Sequence, residues 1–180
     1  MGRSRKMCVL VIVCAAGTAG CSGVLAKGDG RAIGDDLGRF RIDATLDDST
    51  CGADAVGATN DFRLDVFLSE APPRVYWNSG ADSVEGALED DGVHFSFHSE
   101  TVVAVPSDVP AADTCTIVRT DASSGAFDDA RSVRNLTGSL EYRYAAQGHS
   151  DCTTAMASQG LQMLPCRMLY SMAGTWISAR

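Results

Sequence analysis

This 180-residue chain contains three histidines, whose side chains could bind a metal or act as a general base near neutral pH. His94 and His98 alternate with Ser96 and Glu100 on one face of a strand pattern. Because a strand rises about 3.3 Å per residue, their Cα atoms would lie roughly 13 Å apart, too far to chelate one ion from that strand alone. His149 falls in a predicted loop. We therefore expect a solvated strand face and no metal site.

Four pairs of adjacent aspartates could suggest a calcium site or a glycosidase. No D-x-D-x-D-G loop is present, and aspartate is common in turns because its carboxylate accepts nearby backbone N–H groups. The chain also lacks the G-x-S-x-G motif that exposes a nucleophilic serine. We expect no catalysis and no cofactor, and solvated turns at Asp35-Asp36, Asp47-Asp48, Asp90-Asp91 and Asp128-Asp129.

Four cysteines lie beyond the N-terminal segment: Cys51, Cys115, Cys152 and Cys166. An even number of cysteines in an exported protein predicts two disulfides, and four cysteines allow three pairings. We favour Cys152 with Cys166, which closes a short loop, and Cys51 with Cys115, which ties the end of the first strand to a later one. A zinc site of four thiolates is the alternative, which the absence of a C-x-x-C pair disfavours.

The N-terminal segment has the layout of a secretory signal. Arg3, Arg5 and Lys6 give it a basic start, and residues 7–16 form an apolar run before small residues lead to Cys21. The run is about half the roughly 20 residues that a membrane-spanning helix needs, which favours a removable segment over an anchor.

Residues Ala19-Gly20-Cys21-Ser22 resemble the lipobox of bacterial lipoproteins, although the usual aliphatic residue three before the cysteine is Thr18 here. The resemblance implies cleavage before Cys21, a lipid on its thiol, and delivery to an outer membrane because Ser22 follows. An ordinary signal peptide cut after Ala19 is the alternative. The rest of the layout is similar to small uncharacterised lipoproteins of Gram-negative bacteria, which implies a lipid-anchored protein of the cell envelope, facing the periplasm or the surface.

Removing residues 1–20 leaves 12 basic and 23 acidic residues, a formal charge of −11. Such a surface disfavours nucleic acid and electrostatic docking to anionic lipid, so the lipid would hold the protein at the membrane. Residues 22–37 are rich in glycine and lack periodicity, which predicts a flexible tether. The predicted organisation is a signal peptide at 1–20, a lipidated N-terminus and tether at 21–37, and a β domain at 38–180.

From Gly38 onward, apolar and polar residues alternate, which indicates strands with one buried face. We predict an all-β, single antiparallel meander domain of about eight to ten strands, either a barrel or a two-layer sandwich, with disulfides. The alternating apolar positions include Phe40, Ile42, Ala44 and Leu46; Phe62, Leu64, Val66 and Leu68; Val93, Phe95 and Phe97; Leu136, Leu140, Tyr142 and Tyr144; and Met168, Tyr170, Met172 and Trp176.

Local signals divide these strands. Asp90-Asp91-Gly92 predicts a hairpin turn and Ser123-Ser124-Gly125 predicts a loop. A turn or two of helix is expected within 151–161, and Gly138 and Gly174 inside strand patterns predict bulges or strong bends.

The favoured function is a membrane-anchored envelope lipoprotein whose β domain is a non-catalytic binding or structural module, with an envelope protein or polysaccharide as partner. The alternative is a lipocalin-like carrier of a small apolar ligand, which would need an apolar cavity of roughly 300 Å³ or more. Gly174-Thr175-Trp176 resembles the lipocalin Gly-x-Trp signature, although that family places it on the first strand and this chain on the last. The aromatic face that would line such a cavity comprises Trp77, Phe95, Phe97, Tyr142, Tyr144 and Trp176.

Overall fold

The computed structural model describes residues 33–53, 55, 61–79, 82–104, 115–147, 152–158 and 160–179. The predicted signal peptide, the lipidation residue Cys21 and His149 lie outside the described residues. The elements are β1 (Asp35–Ser49), β2 (Asp61–Ala71), β3 (Arg74–Ser79), β4 (Asp82–Leu88), β5 (His94–Ala104), β6 (Thr116–Phe127), β7 (Asn135–Ala146), α1 (Thr153–Ser158) and β8 (Cys166–Ser178).

The eight strands form a closed antiparallel barrel. Each strand pairs with the next along the chain, and β8 pairs with β1 to complete the wall. The predicted all-β meander with disulfides is therefore confirmed. Of the two predicted architectures, the structure is a barrel and not a two-layer sandwich. Closure leaves no strand at a free sheet edge, which is how β proteins avoid edge-to-edge association.

The predicted alternation separates the interior of the barrel from its outer wall. Phe40 and Ile42 are fully buried and Ala44 is nearly so, while Arg41 and Asp43 between them are exposed. Burying a side chain of this size stabilises the fold by about 1.5–3 kcal/mol. The largest fully buried side chains are Tyr170, Phe40, Ile42, Leu68, Leu136, Met168, Val66 and Val75.

The first strand begins at Asp35, three residues before the predicted start of the β domain at Gly38. Asp35 pairs with Glu70, and the register shifts between Asp36 and Gly38. The irregularity hides these residues from the period-two pattern, since alternation resumes only after the bulge.

The barrel has two different ends. The turn end carries the short connections at Pro72-Pro73, 89–93 and 128–134, together with Ile33, where the described chain begins. The disulfide end carries the longer connections, the short β3–β4 connection and both disulfides, Cys51–Cys166 and Cys115–Cys152.

These pairings correct the predicted connectivity, in which Cys152 joined Cys166 and Cys51 joined Cys115. Cys51 follows β1 and Cys166 opens β8, and these two strands are neighbours at the closing seam. Cys115 precedes β6 and Cys152 follows the neighbouring strand β7. Each bridge therefore joins the ends of adjacent antiparallel strands. The Cys51–Cys166 pair comes together only when β8 closes the barrel on β1, whereas Cys115 and Cys152 lie at the open end of the β6–β7 hairpin.

The predicted loop at Ser123-Ser124-Gly125 is wrong, because these residues lie inside β6. Gly125 faces Gly138 of β7, and a Cβ on Gly138 would lie 2.3 Å from the carbonyl oxygen of Ser124. The small residues therefore allow two backbones to approach closely instead of ending a strand. The predicted bulge at Gly138 is not found, because the β6–β7 and β7–β8 registers run through it without a shift.

Two other local predictions are confirmed. Gly92 has a φ of 69° in the β4–β5 turn, and its N–H donates to the carbonyl of Glu89 at 2.9 Å. The only helix among the described residues, α1, lies within the predicted window 151–161.

Candidate binding site

The inward face of β6 changes from apolar to charged and back again. Ile117 and Phe127 are buried in the core, and Arg119 and Asp121 lie on the same face because side chains alternate along a strand. An Arg119 Nη2 to Asp121 Oδ2 distance of 2.6 Å makes this an ion pair. The barrel thus carries a charged pair on a face that is otherwise core.

Two tyrosines of β7 flank this pair. Tyr144 lies opposite Arg119 in the β6–β7 register, and Tyr142 lies opposite Asp121. The Arg119 guanidinium carbon is 5.2 Å from the centre of the Tyr142 ring, within the range of a cation–π contact. Tyr144 also pairs in register with Cys166, which places the cluster beside the disulfide end. We call Arg119, Asp121, Tyr142 and Tyr144 the polar cluster.

Two polar atoms of the cluster lack hydrogen-bond partners. Arg119 Nε and Asp121 Oδ1 are both buried and unpaired within the described structure. A buried donor or acceptor without a partner costs about 1–3 kcal/mol, so such atoms in a native protein call for a water or a ligand. The rest of the pair remains reachable, because 37% of the Arg119 side chain and 21% of the Asp121 side chain are exposed.

The tyrosines stay neutral under physiological conditions. Burial, reinforced by Asp121, raises the pKa of Tyr142 to about 12, and burial also raises the pKa of Tyr144. A neutral phenol can both donate and accept a hydrogen bond. The ring of Tyr142 packs edge-on against Tyr170, with centroids 5.7 Å apart, which connects the cluster to the filled core.

The cluster offers one cation, one anion, neutral hydroxyls and aromatic faces. Because the two charges cancel, it favours a ligand that is neutral but rich in hydrogen-bonding groups over an ion. Sugar rings present hydroxyls on their edges and C–H faces that pack on aromatic rings. The arrangement therefore suits a saccharide.

The predicted aromatic face divides into three groups. Trp77 and Phe97 pack edge-on at 5.8 Å, and Phe95 packs against Phe97, so these three belong to the core. Tyr142 and Tyr144 line the polar cluster, whereas Trp176 lies at the turn end beside Arg134 at 4.3 Å. The structure therefore does not bring the six aromatic residues together around one cavity.

Two of the hollows bounded by described residues lie away from the centre of the barrel. One, of about 320 Å³, lies at the turn end between the start of β1, the 128–134 loop and Trp176. The other, of about 720 Å³, is a groove on the outer wall that runs from Arg74 and Glu85 past His98 to Glu141.

The two histidines among the described residues, His94 and His98, lie on the outer wall. His94 and His98 are both exposed, and neither hydrogen-bonds a serine or cysteine side chain among the described residues. The ligand atoms of Glu89, Asp91 and His94 lie within 4.8 Å of one another, a grouping that the strand-spacing argument for His94 and His98 did not consider. Its signal in the sequence is the E-x-D-x-x-H spacing across a hairpin turn.

This exposed group has a structural explanation. Asp91 Oδ1 accepts the backbone N–H groups of Val93 and His94, and Oδ2 lies 2.6 Å from His94 Nδ1. These hydrogen bonds hold the pKa of Asp91 at about 2, and the carboxylate in turn raises the pKa of His94. Asp91 therefore fixes the turn, as expected for aspartate at such a position.

The other acidic pairs divide between turns and strands. Asp128 and Asp129 accept backbone N–H groups of the β6–β7 loop, as predicted. The turn prediction is wrong for Asp35-Asp36 and Asp47-Asp48, which lie in β1. Asp48 pairs with Arg167 of β8 at 3.1 Å, an interaction that depends on barrel closure and is invisible in local sequence.

Sequence reasoning missed Arg119 and Asp121. Their signal is a pair of opposite charges at i and i+2 in a strand whose other inward positions are apolar or small. The predicted loop at Ser123-Ser124-Gly125 breaks the alternation of β6, so the sequence alone does not place Arg119 and Asp121 on the inward face of one long strand.

No helix in the described part of the chain is long and apolar enough to cross a membrane. Comparison with known proteins gives no further guide to the site, because the chain matches no protein-family model, no curated protein and no solved structure.

Proposed function

We propose that this protein is a lipid-anchored lipoprotein of the bacterial cell envelope, and that its barrel is a non-catalytic binding module. The lipobox-type residues around Cys21 support the anchor. Two disulfides support an oxidising compartment outside the cytosol. The partner is a saccharide of the envelope, bound through the disulfide end.

The observation that carries the binding role is the ion pair inside the barrel. The pair is half-buried, and its attraction is offset by lost hydration and weakened by the remaining solvent contact, so Arg119 and Asp121 contribute little to stability. Their unpaired buried atoms and the flanking tyrosines instead fit recognition of hydroxyl groups. Envelope polysaccharide, one of the two partner classes inferred from the sequence, supplies those groups.

The anchor would orient this site away from the lipid. Eleven residues, 22–32, lie between Cys21 and Ile33, which lies at the turn end. The flexible tether that the sequence predicts for them would span about 18 Å on average. A lipid on Cys21 would therefore hold the turn end near the bilayer and present the disulfide end to the surroundings.

The anchor is tested with Cys21→Ser in the native host. We expect the wild-type protein in the membrane fraction, with a lipid mass on Cys21 and no residues before it, and the variant in the soluble fraction as an unlipidated precursor. An unmodified Cys21 in native material, or a variant that remains in the membrane fraction, would contradict the anchor.

The binding role is tested with the double variant Arg119→Met/Asp121→Leu. The full protein is extracted from its own envelope in mild detergent and analysed by native mass spectrometry. We expect wild-type protein to carry a saccharide-containing mass that the variant lacks. The matched control is Arg143→Met/Glu141→Leu, which removes an exposed pair at the same spacing from the outer wall, and which should retain the bound mass.

Other outcomes distinguish the alternatives. A bound protein that both double variants retain would contradict a saccharide site in the polar cluster. A small apolar molecule would instead favour the lipocalin-like carrier, which the eight-stranded closed meander supports. We place the carrier second because large side chains such as Phe40, Leu68 and Tyr170 are fully buried in the interior.

A further inference from the structure

The hollow of about 320 Å³ at the turn end is lined by four ionisable side chains of balanced charge. Arg131 and Arg134 come from the β6–β7 loop, Asp36 from β1 and Glu70 from the end of β2. None of the four forms an ion pair with another described residue. Burial, reinforced by Asp35, raises the pKa of Glu70, as expected for a carboxylate without a cation beside it.

The loop that carries the arginines is held in one conformation. Asp129 Oδ1 accepts the backbone N–H groups of Arg131 and Ser132 at 2.7 and 2.9 Å, and Asp128 Oδ1 accepts that of Arg134 at 2.9 Å. These hydrogen bonds lower the pKa of Asp128 to about 2. The loop therefore holds Arg131 and Arg134 beside the hollow, where neither guanidinium forms an ion pair among the described residues.

Trp176 forms the apolar part of the lining. Its ring centre is 4.3 Å from the Arg134 guanidinium carbon, and Gly38 at φ 109° leaves room for it. A Cβ on Gly38 would lie 2.3 Å from Trp176 Nε1, so a residue other than glycine would displace the indole. Tryptophan combines an apolar body with one polar N–H and favours the boundary between lipid and water.

The position of the hollow also points to a membrane. The described chain begins at this end with Ile33, a large apolar side chain that is 42% exposed. If Cys21 is lipidated, this end of the barrel lies next to the headgroups of the bilayer, and this step rests on the proposed function.

We propose that the turn-end hollow binds the zwitterionic headgroup of a phospholipid with a phosphate and a primary amine, of the phosphoethanolamine type. Arg131 and Arg134 bind the phosphate, because guanidinium groups match phosphate oxygens in charge and geometry. Asp36 and Glu70 accept hydrogen bonds from the ammonium group. An anionic headgroup would leave both carboxylates unpaired, and a quaternary amine has no N–H to donate.

The test uses the full chain with Cys21→Ser, so that binding does not depend on the anchor, and with Trp77→Phe, so that Trp176 is the only tryptophan. The probe is soluble dihexanoyl phosphatidylethanolamine, titrated while tryptophan fluorescence is recorded. We expect a saturable change whose dissociation constant rises at least about tenfold with Arg131→Gln and with Glu70→Gln, since each removes a charged hydrogen-bonding partner.

The matched control is Arg167→Gln, which removes an exposed arginine at the disulfide end and should leave the dissociation constant unchanged. The phosphatidylcholine and phosphatidylglycerol analogues of the same chain length should bind at least about tenfold more weakly, because each lacks one of the two paired interactions. Thermal melts establish that each variant is folded. Arg131→Gln is the decisive variant because the Arg131 side chain makes no ion pair among the described residues.

Three results would overturn the proposal: no saturable change, equal affinity for the three lipids, or an Arg131→Gln variant that binds like the wild type. These results can be distinguished from a failure of the proposed function, because different measurements test the two proposals. Lipidation of Cys21 is decided by fractionation and mass, and saccharide binding is decided by Arg119 and Asp121, whose replacement should leave the phosphatidylethanolamine titration unchanged.

Discussion

The ion pair of Arg119 and Asp121 places two charged side chains at inward positions of the barrel, where they add little to stability. Inside the barrel the two charges offset each other, but each has lost part of its hydration, and one polar atom of each is unpaired. A core position that only packed would be filled by an apolar side chain. The proposed binding role gives a reason for a charged pair at these inward positions.

The first prediction concerns the stability of this pair. Asp121→Leu alone should lower the free energy of unfolding by about 2 kcal/mol, because it leaves the Arg119 cation without a partner. That is less than for a fully buried pair, since both side chains keep some solvent contact. The double variant Arg119→Met/Asp121→Leu should be at least as stable as the single variant, and urea denaturation measures both. If the double variant were the less stable of the two, the pair would be a structural element instead.

The second prediction concerns alkaline pH. The pKa of Tyr142 is raised from 10.0 to about 12 in the folded protein, chiefly by burial. The folded state thus favours the protonated phenol, and its contribution to stability is complete below pH 10 and is lost as the pH rises through 12. We expect Tyr142→Phe to remove this part of the alkaline loss of stability, measured by denaturation at a series of pH values.

Burial also raises the pKa of Tyr144 and of Tyr170, so Tyr142→Phe should remove part of the alkaline loss and leave the rest. An unchanged alkaline profile in Tyr142→Phe would mean that its phenol ionises as it does in the unfolded chain.

At the scale of elements, the barrel is held by its strand ladders and by two bridges at one end. Cys51–Cys166 cross-links the first and last strands, which pair to close the barrel, and Cys115–Cys152 cross-links the ends of β6 and β7. The closed loops differ in length, with sequence separations of 115 and 37 residues. A cross-link restricts the unfolded chain more strongly when it closes the longer loop.

The third prediction follows from those loops. Cys51→Ser/Cys166→Ser should lower the free energy of unfolding by about 5 kcal/mol, and Cys115→Ser/Cys152→Ser by about 4 kcal/mol. Chemical denaturation under oxidising conditions compares the two. Reductant should bring the wild type below either variant, and a reductant that leaves the midpoint of the wild type unchanged would show that the bridges do not stabilise the barrel.

The elements also show which features the sequence could reveal. The buried face of Phe40, Ile42 and Ala44 was predictable because alternation is local, and so was the turn at Gly92, where a positive φ favours glycine. The disulfide connectivity was not predictable, because it depends on which strand ends share one end of a closed barrel. Arg119 and Asp121 were not predicted to face inward, because strands were identified by apolar residues at every second position. Charged residues at two of those positions interrupt that pattern.

At the scale of the whole molecule, the two ends of the barrel have different chemistry. The turn end holds the start of the described chain, Trp176 and the hollow of balanced charge. The disulfide end holds the bridges and the polar cluster. A formal charge of −11 after removal of residues 1–20 would repel an anionic membrane, so the proposed envelope location requires the proposed lipid anchor and the local contacts proposed for the hollow.

The fourth prediction concerns this orientation. In vesicles that contain lipids brominated near the headgroup, the lipidated protein should show stronger quenching of Trp176 than of Trp77, because Trp176 lies at the turn end and Trp77 lies within β3. The variants Trp77→Phe and Trp176→Phe isolate the two signals, since the chain has only these tryptophans. Stronger quenching of Trp77 would mean that the barrel lies on its side or is inverted. The turn end would then be free of the bilayer, and the polar cluster would face the lipid instead of the envelope beyond it.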